Sequence, residues 1–152
     1  MPIRFFLQKN LRPIYPLGIL TKLMNVLLLI LLAEKLTVCQ MDQSEPIPPW
    51  ATQSNTFFSV TLTEDELSIV CPSRYVPKGT KCERDWVAYK VAGPLDFGLT
   101  GILASIANPL AAANISLFAI STYDTDYILV KEKDRKSSIE TLRKAGFSVE
   151  VQ

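Results

Sequence analysis

The chain has 152 residues, enough for one ordinary domain or two small ones with a real core. Its 16 Lys and Arg against 15 Asp and Glu leave a net charge of +1, and no basic run interleaves with aromatics, which argues against nucleic acid as a partner. There is no histidine, so Ser-His-Asp and Cys-His catalysis, His-ligated zinc and His-ligated haem are excluded, although Asp, Glu, Lys and Cys chemistry stays formally open.

The N-terminus has more than one reading. Arg4, Lys9 and Arg12 precede an apolar stretch over 17–33, the layout of a secretory signal. Its uninterrupted part, Val26 to Ala33, falls short of the ~20 residues a membrane helix needs. Lys22 and Asn25 break the stretch and Glu34-Lys35 follow at once. These features favour a buried strand from about Met24, after an extension over 1–23, in a cytoplasmic protein for which a membrane partner is not expected. A membrane-tethered or exported form through residues 1–33, or a targeting presequence, is the alternative.

Leu36 to Met41 alternates as a half-buried strand should, until Pro46, Pro48 and Pro49 break it. Thr56–Leu62 and Leu67–Cys71 read as strands about a Thr63–Glu66 turn, and Pro72–Lys81 as loop. Glu83-Arg84-Asp85 reads as a solvated junction before a strand from Trp86 to Val91, with Val87, Tyr89 and Val91 on one face. Trp50 and Trp86 suit core or interface positions. Cys39, Cys71 and Cys82 are odd in number and unevenly spaced, neither a zinc pattern nor a disulfide framework, and are expected reduced.

Leu99, Ile102, Leu103, Ile106 and Leu110 fall at helical spacing, with Asp96 as a cap and Asn108-Pro109 as a restart of the last turn. Gly98 and Gly101 have no phosphate-loop spacing around them. Ile115–Ser121 and Asp126–Lys131 form a second hairpin. Asp134 opens a helix with Ile139, Leu142 and Ala145 inward, Gly146 stops it, and Ser148–Val151 closes the chain as a strand. From Trp86 the order is β-α-β-β-α-β, the split unit of ferredoxin-like sheets. Phe58–Val70 also aligns without gaps on Phe118–Val130, an internal echo that suggests duplication.

The stretch from Leu95 to Val130, with Asn108-Pro-Leu-Ala111 and Ser121-Thr-Tyr-Asp-Thr-Asp126 in order, resembles ACT domains of the aspartokinase regulatory and arginine-sensor (CASTOR) type. Leu31 to Arg84, with Ile47-Pro-Pro-Trp50 and Leu67-Ser-Ile-Val-Cys-Pro72, resembles a diverged first unit of the same proteins. The resemblance implies an α+β, ferredoxin-like βαββαβ ACT fold in tandem with a degenerate first unit. The expected division is an extension over 1–23, a degenerate unit over 24–84 and an ACT domain over 85–152.

It further implies a non-catalytic regulatory or sensor protein that binds a free amino acid without cofactor or metal. A homodimer or a regulated protein partner would read its occupancy. The alternative is an interaction module with no ligand. The positions that match an ACT ligand site are Asp96, Phe97, Gly98, Leu99, Thr100 and Gly101 at the helix start, and Ser121, Thr122, Tyr123, Thr125 and Asp126 at the strand end. Backbone N–H groups of the helix start would hold the carboxylate, as the helix dipole favours. Asp124 reads as turn chemistry. Asn114 stands where the family commonly has glycine, and Arg135 where helix two is often apolar.

Overall fold

The computed structural model describes residues 27–152, so the extension over 1–23 and the proposed strand start near Met24 lie outside the described residues. Among the described residues eight strands form one sheet: β1 (Leu28–Leu31), β2 (Leu36–Met41), β3 (Ser59–Leu62), β4 (Leu67–Pro72), β5 (Cys82–Val91), β6 (Leu117–Ser121), β7 (Asp126–Lys131) and β8 (Ser148–Val151). The two α-helices among the described residues, α1 (Ile102–Ala112) and α2 (Arg135–Lys144), both belong to the second half. The fold is α+β and ferredoxin-like.

The halves share β5. Its first residues pair with β2 and carry the order β5-β2-β4-β3, while Trp86 to Lys90 pair with β7 and carry β5-β7-β6. The change of partner falls at a bulge: Leu36 pairs with Trp86 but Val38 with Glu83, so β5 holds one extra residue. Asp85 absorbs it with φ 62, in the left-handed region that Asp tolerates better than most residues. Lys131 ties the bulge to β7. Its Nζ donates to Glu83 Oε2 at 3.0 Å and to the Arg84 carbonyl at 2.9 Å, and lies 4.3 Å over the Trp86 ring. The exposed junction of charges is thus a device that redirects one strand between two layers.

A plain split unit would set β8 directly beside β5. Here β1 is inserted between them, antiparallel to β5 and parallel to β8. An unbroken Leu-Leu-Ile-Leu run suits a strand paired on both edges, and Leu29 and Leu31 are completely buried. This apolar segment, which precedes the first half in sequence, sits in the sheet of the second.

Three cores follow from strand alternation. Leu29, Leu31, Val87, Tyr89, Val91, Ile128 and Val130 face α1 and α2, packing on Ile106, Leu110 and Leu142. On the reverse side Trp86, Ala88 and Leu129 pack with Leu36, Val70 and Phe57, so the two half-sheets meet face to face. The outer face of the first half carries no α-helix among the described residues. Short 3-10 turns at Pro49–Thr52 and Ser73–Tyr75 stand there instead, and Ala51 and Val76 cover Cys39, Ile69 and Cys71. Each fully buried large side chain contributes roughly 1.5–3 kcal/mol.

Several expectations need correction. α1 begins at Ile102 rather than Leu99, because Gly101 at φ 82 ends the preceding loop. Asp96 does not cap it: its Oδ1 accepts from Gly98 N at 2.7 Å within the loop. Pro109 causes no restart, and the helix runs through it, with the Pro109 carbonyl accepting from Ala113 N. Leu103 is not core, since the buried stripe is Ile102, Ile106 and Leu110 at a strict four-residue step, which leaves Leu103 38% exposed. Asp134 occupies the cap position of α2 without a side-chain cap bond. Asn114 does adopt the left-handed conformation, φ 57.

The echo is real but one residue out of step. The β3–β4 turn closes with Thr63 N donating to the Glu66 carbonyl at 2.9 Å, and Glu66 N donating to Thr63 Oγ1 at 3.2 Å. The β6–β7 turn repeats both, with Thr122 N to the Thr125 carbonyl at 2.8 Å and Thr125 N to Thr122 Oγ1 at 3.2 Å. Thr63 matches Thr122, so the hairpins coincide at a spacing of 59, where the apolar letters had suggested 60. A one-residue slip would turn every side chain to the other face.

Candidate functional site

The loop from β5 to α1 and the turn from β6 to β7 are bound to each other. Leu95 N donates to the Asp124 carbonyl at 2.8 Å, and the buried Thr125 hydroxyl donates to the Val91 carbonyl at 2.6 Å. Contact at Gly93 is so close that a Cβ there would lie 2.9 Å from the Asp124 carbonyl oxygen and 3.2 Å from Thr125 Cβ. Only glycine lets the two segments meet this closely. The Gly93–Pro94 peptide is cis. Beyond it, the Asp96 carboxylate and carbonyl fold the loop back through Gly98 N and Leu99 N, and Gly101 delivers the chain into α1.

Between loop and turn lies a cleft of about 310 Å³. Nine of the eleven residues that matched an ACT ligand site line it: Asp96, Phe97, Leu99, Gly101, Ser121, Thr122, Tyr123, Thr125 and Asp126. Gly98 and Thr100 lie in the same loop but not on its wall. Leu95, Ile102, Leu103 and Asp124 also line it and had not been singled out. Asp124 could have been found from the turn chemistry it shares with Asp126. Leu103 could not, because its helical spacing fitted the core equally well.

The chemistry of the wall is one-sided. Asp96, Asp124 and Asp126 contribute three carboxylates, and among the described residues no Lys or Arg lines the cleft. Ser121 Oγ donates to Asp126 Oδ1, which orients that carboxylate across the strand end. Opposite stands the first turn of α1, whose N-cap is a glycine with no side-chain cap bond, so its leading N–H groups keep their donor capacity for an anion. Phe97 and Tyr123, 74% and 82% exposed, meet edge to face across the mouth with centroids 5.0 Å apart. Thr125 lines the cleft, but its hydroxyl is committed to Val91 and holds the turn in place.

Among the described residues no three His, Cys, Asp or Glu side chains are grouped to hold a metal ion. The three cysteines are free thiols. Burial, with the neighbouring Cys71 and Cys82, pushes the Cys39 thiol up to about 12, and burial pushes Cys71 up to about 11, so both stay protonated at neutral pH and are poor nucleophiles. No helix among the described residues is long and apolar enough to cross a membrane.

Comparison with known proteins agrees with this architecture. The family model of the ACT domain matches residues 81–144, and a second model, of an N-terminal domain, matches 34–79. The human cytosolic arginine sensor for mTORC1 subunit 1 is 40% identical over 100 residues, 60% of this chain and 30% of that protein. The chain thus spans under a third of the length of that relative. The crystal structure of protein Atu0741 from Agobacterium tumefaciens, 35% identical, superposes with a TM-score of 0.78 over 83% of this chain and 93% of that one. The regulatory subunit of aspartate kinase from Thermus thermophilus shares the fold at a TM-score of 0.54 and 7% identity, covering 77% of this chain and 95% of its own. Residues 81–144 are an ACT domain, and through them the chain belongs to the ACT-domain family.

Proposed function

We propose that the chain is a non-catalytic amino-acid sensor, and that its ligand sits in the cleft between the β5–α1 loop and the β6–β7 turn. The observation that carries this reading is the pairing of an uncapped helix start with the Asp126 carboxylate across one cleft. A free amino acid presents an anion and a cation a few ångströms apart. Its carboxylate fits the N–H groups at Ile102 and Leu103, and its ammonium fits Asp126.

Three carboxylates on the wall, with no basic side chain among its described residues, favour a ligand with a further positive charge on its side chain. That agrees with the arginine in the name of the human relative. Phe97 and Tyr123 then close over the ligand, and both aromatics offer a face to a guanidinium or ammonium. The occupied cleft draws together the β5–α1 loop and the β6–β7 turn, and a regulated partner or a second copy reads that change at the exposed rim. A cytoplasmic setting matches the cytosolic relative.

A thermal-shift screen of the twenty amino acids tests the proposal. Ligand at a hundred times its dissociation constant stabilises the fold by ~2.7 kcal/mol. Arginine or lysine should raise the melting temperature, and Asp126→Asn should abolish the shift while leaving the unliganded melt near wild type. If no amino acid shifts the melt at millimolar level, the alternative of a ligand-free interaction module, presenting Phe97, Leu99, Leu103 and Tyr123 to a protein, takes its place.

A further inference from the structure

We infer that Cys39 and Cys82 form a reversible oxidation site, at which hydrogen peroxide converts two free thiols into one cross-strand disulfide that pins β2 to β5. The three cysteines are spread along the sequence, yet the sheet gathers them on one face of the first half. Cys39 on β2 stands directly opposite Cys82 on β5. Gln40 N donates to the Lys81 carbonyl at 3.0 Å, so the next residues along form the hydrogen-bonded pair, and Cys39 and Cys82 are a non-hydrogen-bonded one. A pair of that kind holds its Cα atoms about 4.5 Å apart, within the roughly 4.4–6.8 Å that a disulfide spans.

The third cysteine is excluded by register. On the other side of β2, strand β4 sets Ile69 opposite Cys39 and Cys71 opposite Thr37. Cys71 is therefore the diagonal neighbour of Cys39, a position typically roughly 7–8 Å away, where bridging requires the backbone to move. Access makes the same choice. Cys39 and Cys71 are buried, whereas Cys82 is half-buried. A cleft of about 320 Å³ is lined by Cys39 and Cys82 but not by Cys71.

These positions divide the chemistry. The thiolate form of Cys82 attacks one peroxide oxygen, the O–O bond breaks, and the departing hydroxide takes up a proton as water, leaving a sulfenic acid on Cys82. The Cys39 sulfur then attacks the Cys82 sulfur. An S–S bond forms, the S–O bond breaks, and the leaving hydroxide takes the Cys39 proton as a second water. Two thiols lose two electrons and one peroxide gains them. Burial keeps the Cys39 thiol protonated, which suits the group that resolves the sulfenic acid rather than the one that meets the oxidant. The bond closes beside the bulge at which β5 passes from β2 to β7.

Hydrogen peroxide added to the folded full chain, followed by intact mass measurement and peptide mapping without reductant, tests this. The product should be lighter by about 2 Da, the two hydrogens lost, with the Cys39 and Cys82 peptides of one chain joined and Cys71 free. Dithiothreitol should restore the starting mass. Cys71→Ala should form the same bond. Cys82→Ser, at a half-buried position that tolerates a hydroxyl, and Cys39→Ala should each abolish it. Cys39→Ala should instead leave a sulfenic acid on Cys82 that dimedone traps. A Cys39–Cys71 bond, a bond only between two copies of the chain, or a wild-type Cys82 that stays unmodified or proceeds to sulfinic acid overturns the inference. None of these results bears on the amino-acid cleft, which lies in the other half of the chain.

Discussion

Replacing Gly93 by alanine should damage the candidate site through a single carbon atom. The added Cβ would stand 2.9 Å from the Asp124 carbonyl oxygen and 3.2 Å from Thr125 Cβ. Ordinary contact begins at 3.4 Å, so the segments must separate by about half an ångström. The first obstacle is backbone, which cannot rotate away as a side chain can. The same separation strains the 2.8 Å bond from Leu95 N and the 2.6 Å bond from the Thr125 hydroxyl. Overpacking of this kind costs about 1–3 kcal/mol, which lowers the melting temperature by about 2–12 °C at this chain length. Gly98→Ala is the matched control: its Cβ would meet only the Asp96 Oδ1 side-chain atom, at 3.1 Å. Its effect should stay below about 1 kcal/mol. Urea unfolding of both variants, read by circular dichroism, decides the matter. A Gly93→Ala midpoint equal to wild type, or a larger loss in Gly98→Ala, would refute the close-approach argument.

Thr125→Val keeps the shape but leaves the Val91 carbonyl without its hydroxyl donor, so urea unfolding should show a loss of about 1–3 kcal/mol. Ile106→Ala, completely buried under α1, should cost about 2–5 kcal/mol, while Leu103→Ala on the cleft wall should cost clearly less; equal losses by calorimetry would return Leu103 to the core. The Cys39 and Cys71 thiols are raised by burial from 9.0 to about 12 and about 11, and they are acids whose neutral form the fold prefers. Their contribution is therefore present in full below pH 9 and lost as pH rises through 11 and 12. Unfolding free energy measured from pH 8 to 11 should fall more steeply in wild type than in a Cys39→Ala, Cys71→Ala variant, and parallel curves would remove these thiols as the cause.

Local patterns made much of the second half legible. Val87, Tyr89 and Val91 alternate on one face because a strand has a period of two, and that period needs no knowledge of the partner strand. The turn over Thr122–Thr125 was readable because threonine and aspartate bond their own backbone. Nine of eleven candidate site residues fell on one cleft for the same reason, since a strand–loop–helix start and a hairpin turn are both local signals. α2 stopped at Gly146, whose φ of 98 suits glycine.

Tertiary structure decided what depends on partners far along the chain. An apolar run such as Leu28–Leu31 carries no mark of which strands will flank it, and only packing set it between β5 and β8. Glu83-Arg84-Asp85 looked like solvent-exposed punctuation, yet these residues form the bulge through which β5 serves two layers, because β2 and β7 compete for different stretches of the same strand. Leu103 has core spacing in the sequence and lies at the cleft, since α1 needs only the stripe through Ile102, Ile106 and Leu110 to cover the sheet. Periodicity is a property of a segment, whereas the neighbour that buries it is a property of the whole chain, and register, insertion order and the composition of the cleft wall all belong to the second kind.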